Sequence, residues 1–160
     1  MVDIYRLKLS ILSGQCFDFP ATFCTRTIDI KGSTSLYKLA KAILDAYNFD
    51  FDHAFGFYDN IKDPYKSNDI YTLFADMDDG IPAEEDEKSV KKTKISSVFE
   101  KGKKMAFLFD YGDDWIFHVN CTSIGEAENG KKYPLLVESK GEAPEQYPEY
   151  DEDYEDEYEE

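Results

Sequence analysis

Residues 107–119, FLFDYGDDWIFHV, contain three aspartates, the only tryptophan and one of the two histidines of the chain. Carboxylate and imidazole groups serve as general bases and metal ligands, so Asp110 and His118 could act together as a catalytic or metal-binding pair. Asp113 and Asp114 also suit a tight turn, because aspartate is among the residues that turns prefer. The stretch therefore fits either an active site or a hairpin between two core strands.

Strand parity predicts how such a hairpin is built. Directly opposed residues of an antiparallel pair point to the same face of the sheet. A loop of residues 112–114 places Tyr111 opposite Trp115, whereas a two-residue loop would expose half of the apolar side chains. A bulge or a five-residue loop stays possible, because the common three-residue loop has its glycine last. The predicted apolar face comprises Met105, Phe107, Phe109, Tyr111, Trp115, Phe117, Val119 and Cys121.

The opposite face of the predicted hairpin keeps the polar pair. Asp110 lies opposite Ile116 and diagonal to His118, and diagonal neighbours are roughly 7–8 Å apart at the backbone. A contact between the two side chains could orient the imidazole as a base or metal ligand. It could equally be a structural hydrogen bond on a half-exposed sheet face, and the structural interpretation is favoured.

Hydrophobic periodicity predicts the elements around the hairpin. Alternation over residues 5–11 and 23–30 predicts two strands, and the second has Arg26 on its inward phase. Because an unpaired buried charge is costly, Arg26 either finds a polar partner inside or reaches water near a sheet edge. The apolar stripe of residues 36–47 predicts the main helix. Residues 53–59 predict a short strand with His53 in phase with its phenylalanines.

The acidity of the chain is concentrated at its end. The formal net charge is −16, but residues 142–160 hold eleven acids and no Lys or Arg, which leaves 23 acids against 18 bases before them. Such a low-complexity, self-repelling composition predicts a disordered tail after a single domain of residues 1–141. Negative charge on both parts disfavours contact with phosphate backbones, so nucleic acid is not an expected partner.

No cofactor or metal is expected from the sequence. The three cysteines are dispersed and lack a C-x-x-C pair, which argues against a disulfide framework and a structural zinc site. The acidic loop of residues 76–94 fails the glycine and glutamate spacing of an EF-hand and is expected to be a solvated loop. There is no secretory h-region and no apolar run long enough to span a bilayer, so the sequence predicts a cytoplasmic protein.

The hairpin residues carry a family resemblance. FDYGDDWIFHV resembles the Tyr-Asp-Phe-Gly-Asp-x-Trp-x-His motif of the plasmid pRiA4b ORF-three-like family. CTRTIDI, the helix with its following strand, and KYPLLVESKGEAPEQYP resemble further segments of that family in the same order. The closing run APEQYPE departs from the family's Pro-Pro-Glu-Asp-x-Gly-Gly pattern, which would alter any pocket wall formed there. Some members are named after mobile-element neighbours, a label that the negative charge of this chain does not favour.

The resemblance implies a compact α+β domain with a curved, largely antiparallel sheet. Combined with the local patterns, it gives an expected sheet of about five to seven strands, covered by one main helix and a short second helix near residues 95–102. Strand order, oligomeric state and any particular activity are not implied.

Two functions from different classes fit these residues. The favoured one is a non-enzymatic binding or protein-interaction module with a protein or small-molecule partner and no membrane contact. The alternative is a metal-assisted hydrolase in which His53, His118 and Asp110 act as ligands or acid–base groups and Arg26 positions an anionic substrate. The candidate ligand-binding residues are Arg26, His53, Asp110, Asp113, Trp115 and His118.

Overall fold

A single mixed sheet organises the protein, whose computed structural model describes residues 2–76 and 87–147. Its nine strands are β1 (Asp3–Gly14), β2 (Phe17–Asp18), β3 (Thr25–Lys31), β4 (Phe55–Tyr58), β5 (Ile70–Thr72), β6 (Glu87–Ser89), β7 (Lys104–Phe109), β8 (Trp115–Glu126) and β9 (Leu135–Lys140). Eight of them follow the order β6-β5-β4-β7-β8-β1-β3-β9, and β2 pairs with one end of β1. All neighbours are antiparallel except β5 and β6, which run parallel.

Two short α-helices accompany the sheet in the described residues. They are α1 (Leu36–Ala46) and α2 (Ile95–Val98), and two 3-10 turns span Pro64–Lys66 and Phe74–Asp76. The expected apolar stripe of α1 is confirmed, and Ser35 caps the helix by accepting a hydrogen bond from the Lys38 N–H at 3.2 Å. Asn48 follows the helix in a left-handed conformation with φ of 60°, as suits a terminating residue.

The expected α+β fold of five to seven strands covered by one main helix is wrong, because the protein is mostly sheet. An eleven-residue helix is about 16 Å long, whereas eight strands side by side span about 34 Å. One helix therefore covers only part of the sheet. Strands of two or three residues such as β2, β5 and β6 are too short to show a period of their own, which is why the strand count was too low.

The β7–β8 hairpin has the predicted parity with a longer loop. Phe109 pairs with Trp115 and Phe107 with Phe117, so five residues, 110–114, connect the strands. Seven of the eight residues expected on the apolar face lie in the main core. The exception is Tyr111, which packs with Tyr58 and Leu108 in a smaller cluster. A shift of register by two residues keeps every strand residue on its predicted face.

Three expectations are tested only in part, because some of their residues lie outside the described ranges. Of the tail that is expected to be disordered, only residues 142–147 are described, and the middle of the acidic loop, residues 77–86, also lies outside the described residues. The single domain of residues 1–141 stays a prediction. Among the described residues no helix has the length and apolar character needed to cross a membrane.

Gly14 allows the end of β1 to pass directly under the indole ring of Trp115. A Cβ atom at Gly14 would overlap that ring, whereas a Cβ at Gly125 in β8 would meet no atom within 4 Å. Both glycines lie in strands of the same sheet and have ordinary backbone angles, so they form a matched pair.

Gly14→Ala is expected to lower the free energy of unfolding by about 1–3 kcal/mol, because the added methyl group forces the tryptophan out of its packed position. Gly125→Ala should leave stability unchanged or slightly raised. Urea unfolding followed by tryptophan fluorescence measures both. Equal effects of the two substitutions would contradict the proposed steric role of Gly14.

Candidate functional site

The five-residue loop of the hairpin is shaped by Asp110. This residue has a left-handed backbone with φ of 64°, a conformation that aspartate tolerates better than most side chains. Its Oδ1 accepts the N–H groups of Gly112 and Asp113 at 3.1 and 3.3 Å, and its carbonyl oxygen accepts the Asp114 N–H at 2.6 Å. One oxygen of the Asp110 carboxylate therefore stabilises the turn, and the other is left for contacts outside the loop.

That second oxygen faces His53. The Asp110 N–H donates to the carbonyl of Ala54 at 3.0 Å, which continues the β4–β7 pairing into the loop. His53 consequently lies just before β4 rather than within it, and its Nε2 is 3.4 Å from Asp110 Oδ2 and 3.7 Å from Asp52 Oδ1. The structure thus brings two of the predicted residues, His53 and Asp110, to one place.

Tyr147 completes a small hydrogen-bonded network with these groups. Its hydroxyl donates to Asp52 Oδ2 at 2.7 Å and lies 2.7 Å from His53 Nε2. Because the phenol proton is directed at Asp52, the His53 nitrogen must donate in that contact. Burial, the hydrogen bond to Asp52 and the nearby aspartates together raise the pKa of Tyr147 well above its ordinary value. The phenol therefore stays protonated and joins the two acidic loops.

Arg26 is buried, at 7% exposure, and its partners are backbone carbonyls. Its Nε donates to Ala46 O at 2.9 Å, and its Nη1 donates to Thr25 O and Lys140 O at 2.8 and 3.1 Å. The guanidinium also lies 5.1 Å from the centroid of the Tyr47 ring. Arg26 therefore finds polar partners inside the protein, which is the first of the two predicted alternatives. Its positive charge lies at the carboxyl end of α1, where it interacts favourably with the helix dipole.

His118 lies away from His53, on the other face of the sheet. It pairs with Ala106 in β7 and Ser10 in β1, whereas His53 lies beyond the Phe109 end of β7. The separation along the strand is at least three residues, about 10 Å. Across residues 2–76 and 87–147, no three His, Cys, Asp or Glu side chains are grouped so that they could hold a metal ion.

Trp115 and Asp113, the two other candidates, occupy structural positions. The indole of Trp115 is 1% exposed and packs edge-to-face on Phe49, with ring centroids 4.8 Å apart. Its Nε1 has no hydrogen-bond partner in the described structure. The carbonyl of Asp113 accepts the backbone N–H of Gln15 at 2.7 Å, which ties the hairpin loop to the β1–β2 turn.

Two residues of the candidate site were missed because they lie in a segment without periodicity. Residues 141–147, which follow β9, are here called the closing segment. Gln146 is its one buried residue, and Tyr147 reaches His53. The only sequence signal was the resemblance of KYPLLVESKGEAPEQYP to the closing part of a family pattern, which marks the segment without giving its contacts.

The closing segment borders a pair of adjoining clefts. One has a volume of about 480 Å³ and lies against Arg26 and Tyr47, and the other has a volume of about 510 Å³ and reaches Tyr147. They share Asn48, Glu145 and Gln146 and so form one groove, here called the closing groove. The groove leads from the end of α1 towards the His53 network.

Asp110→Ala is expected to lower the free energy of unfolding by about 2 kcal/mol, since it removes the turn acceptor and leaves alanine in a left-handed conformation. Asp110→Asn keeps an acceptor and tolerates the conformation, so it should remain close to the wild type. Asp113→Ala serves as the control, with an expected change of about 0.5 kcal/mol or less. Thermal and urea unfolding measure these values, and an Asn variant as unstable as the Ala variant would refute the turn role.

Burial and, next, the positive charge of Lys104 lower the pKa of His118 below its ordinary value of 6.5. Below pH 6.5 the unfolded chain therefore binds a proton at His118 more readily than the folded chain does. The free energy of unfolding consequently falls as the pH falls below 6.5. We expect the stability of the wild type relative to His118→Gln to decrease between about pH 8 and about pH 5. Lys104→Met should reduce the decrease. Urea unfolding across this range tests it, and a pH-independent difference would contradict it.

Comparison with known proteins agrees with the resemblance in the sequence. The crystal structure of MM3350 from Methanosarcina mazei Go1, a protein of unknown function, matches with a TM-score of 0.68 at 27% identity, covering 91% of this chain and 75% of that one. No curated protein matches the chain. The sequence model of a family described as plasmid pRiA4b ORF-3-like protein matches residues 17–159. The chain therefore belongs to the plasmid pRiA4b ORF-3-like family.

Proposed function

We propose that the protein is a non-enzymatic interaction module that binds an extended peptide segment in the closing groove. The observation that supports the proposal is the groove itself, whose two parts meet along Asn48, Glu145 and Gln146. Two adjoining clefts offer an extended chain more contacts than they offer a compact substrate. The hydrolase alternative has no comparable support, since His53 and His118 lie apart and Arg26 is bound to carbonyls.

The charge of the groove indicates what kind of peptide it would take. Asp50, Glu142 and Glu145 line it, and none of these three carboxylates forms an ion pair within the described residues. Arg26 is the only basic residue in either lining, and its guanidinium is already engaged. Lysine or arginine side chains of a partner would find carboxylates to pair with, whereas an acidic segment would be repelled.

The first experiment compares the binding of fluorescently labelled heptalysine and heptaglutamate by fluorescence anisotropy at low ionic strength. Heptalysine should bind and heptaglutamate should not. Asp50→Asn combined with Glu145→Gln should weaken heptalysine binding by about two- to thirtyfold, since exposed ion pairs contribute about 0.2–1 kcal/mol each.

Attraction to the acidic end of the chain must be separated from binding in the groove. Glu100→Gln combined with Glu126→Gln removes the same charge from positions outside the groove, so it changes the long-range attraction equally. The groove variant should lose more heptalysine affinity than this control variant does. Equal weakening by both double variants would mean that heptalysine responds to net charge alone, and the proposal would fail.

A further inference from the structure

Gln146 is held by a complete set of hydrogen bonds. It is 7% exposed, and its Oε1 accepts the Asp50 N–H at 2.6 Å. Its Nε2 donates one hydrogen to Asp50 O at 3.1 Å and the other to Asp52 Oδ1 at 3.2 Å. Its backbone carbonyl accepts from Gln15 Nε2 at 2.7 Å. The side-chain amide thus pairs with the Asp50 backbone as a neighbouring strand would.

This arrangement selects one chemical group. A primary carboxamide offers two donors and an acceptor on one planar end, and the backbone of Asp50 with the carboxylate of Asp52 complements all three. A glutamate side chain would direct acceptors at Asp50 O and Asp52 Oδ1, and an apolar side chain would leave the Asp50 N–H without this partner. Neither substitute satisfies the site.

We propose that Asp50 and Asp52 form a carboxamide-recognition site, filled in cis by Gln146, that takes the glutamine side chain of a bound peptide when the closing segment withdraws. The inference rests on the proposed function and names the side chain that such a peptide inserts. Glu142 and Glu145 leave with the segment, so Asp50 is the groove carboxylate that stays to receive a basic residue flanking this glutamine in the partner.

The contacts of the closing segment are compatible with its withdrawal. The segment has no helix or strand, and Gln146 is its only buried residue. Tyr147 is attached through its hydroxyl, and its residue is 48% exposed. At the other end Gly141 is fixed, because its φ is 82° and a Cβ there would overlap the carbonyl oxygen of Phe23. Segments held by few buried contacts open more easily than the core, so this one would pivot at Gly141.

The test empties the site in the full chain with Gln146→Ala and supplies the side chain in trans. The probe is the acetylated and amidated peptide GKAPKQY, which is the sequence of the closing segment with lysine in place of both glutamates, because the proposed partner is basic. It is compared with GKAPKEY and GKAPKAY. The glutamine peptide should raise the melting temperature of the variant and bind it at least tenfold more tightly than either comparison peptide.

The wild type should bind the glutamine peptide at least tenfold more weakly than the Gln146→Ala variant, because its own segment competes at an effective concentration on the order of mM. Glu126→Ala, which lies outside the closing groove and leaves the site filled, should behave as the wild type. If the three peptides bind the Gln146→Ala variant equally, the carboxamide site is refuted.

A second measurement uses the unaltered chain in case the variant fails to fold. Excess glutamine peptide should move the NMR signals of the Gln146 side-chain NH2 towards their free positions, and an unchanged spectrum would overturn the inference. The two proposals also fail separately. Glutamine-selective binding without any heptalysine binding would contradict the basic-peptide function alone, whereas heptalysine binding without glutamine selectivity would contradict the carboxamide site alone.

Discussion

The register of the β7–β8 hairpin is the constraint on which the rest of the structure depends. With Phe109 opposite Trp115, every aromatic residue of both strands points into the core, and a shift by one residue would turn them all to the other face. The same register places Trp115 over Gly14, which fixes where β1 ends. It also leaves five residues for the loop, enough for Asp110 to turn the chain and contact His53. Packing and candidate site are therefore set by one pairing.

The parts of the fold that were predictable are those with a long period. The alternation in β1 and in the hairpin, and the helical stripe of α1, each extend over enough residues to identify both the element and its buried face. The two- and three-residue strands are too short to show a period. Strands β5 and β6 form through pairing with neighbours across intervening loops, and β2 forms through the tight turn that follows β1. Tyr111 was misplaced because strand alternation was extended two residues too far into the loop. The wrong fold class follows from counting only periodic elements.

The candidate site was predictable in residue type but not in pairing. Asp110 was recognised as a polar residue beside a histidine, yet its partner is His53 and not His118, because the loop turns its side chain away from the strand. Arg26 was placed on the inward phase, but sequence could not show that its partners would be carbonyls from α1 and β9. Gln146 gave no signal beyond the family resemblance of its segment, since a buried glutamine in an irregular segment resembles an exposed one in sequence.

The closing segment connects the structural and functional arguments. Its carboxamide satisfies the backbone of a loop that would otherwise keep an unpaired N–H and C=O at Asp50, so the segment contributes to folding. The Tyr147 hydroxyl donates a hydrogen bond to Asp52, whose carboxylate faces His53 from a second side. Both contacts are hydrogen bonds that a peptide carrying the same groups can reproduce. A segment that completes the fold through replaceable contacts is suited to act also as an internal ligand, because the groups that it satisfies are those that a partner must satisfy in its place.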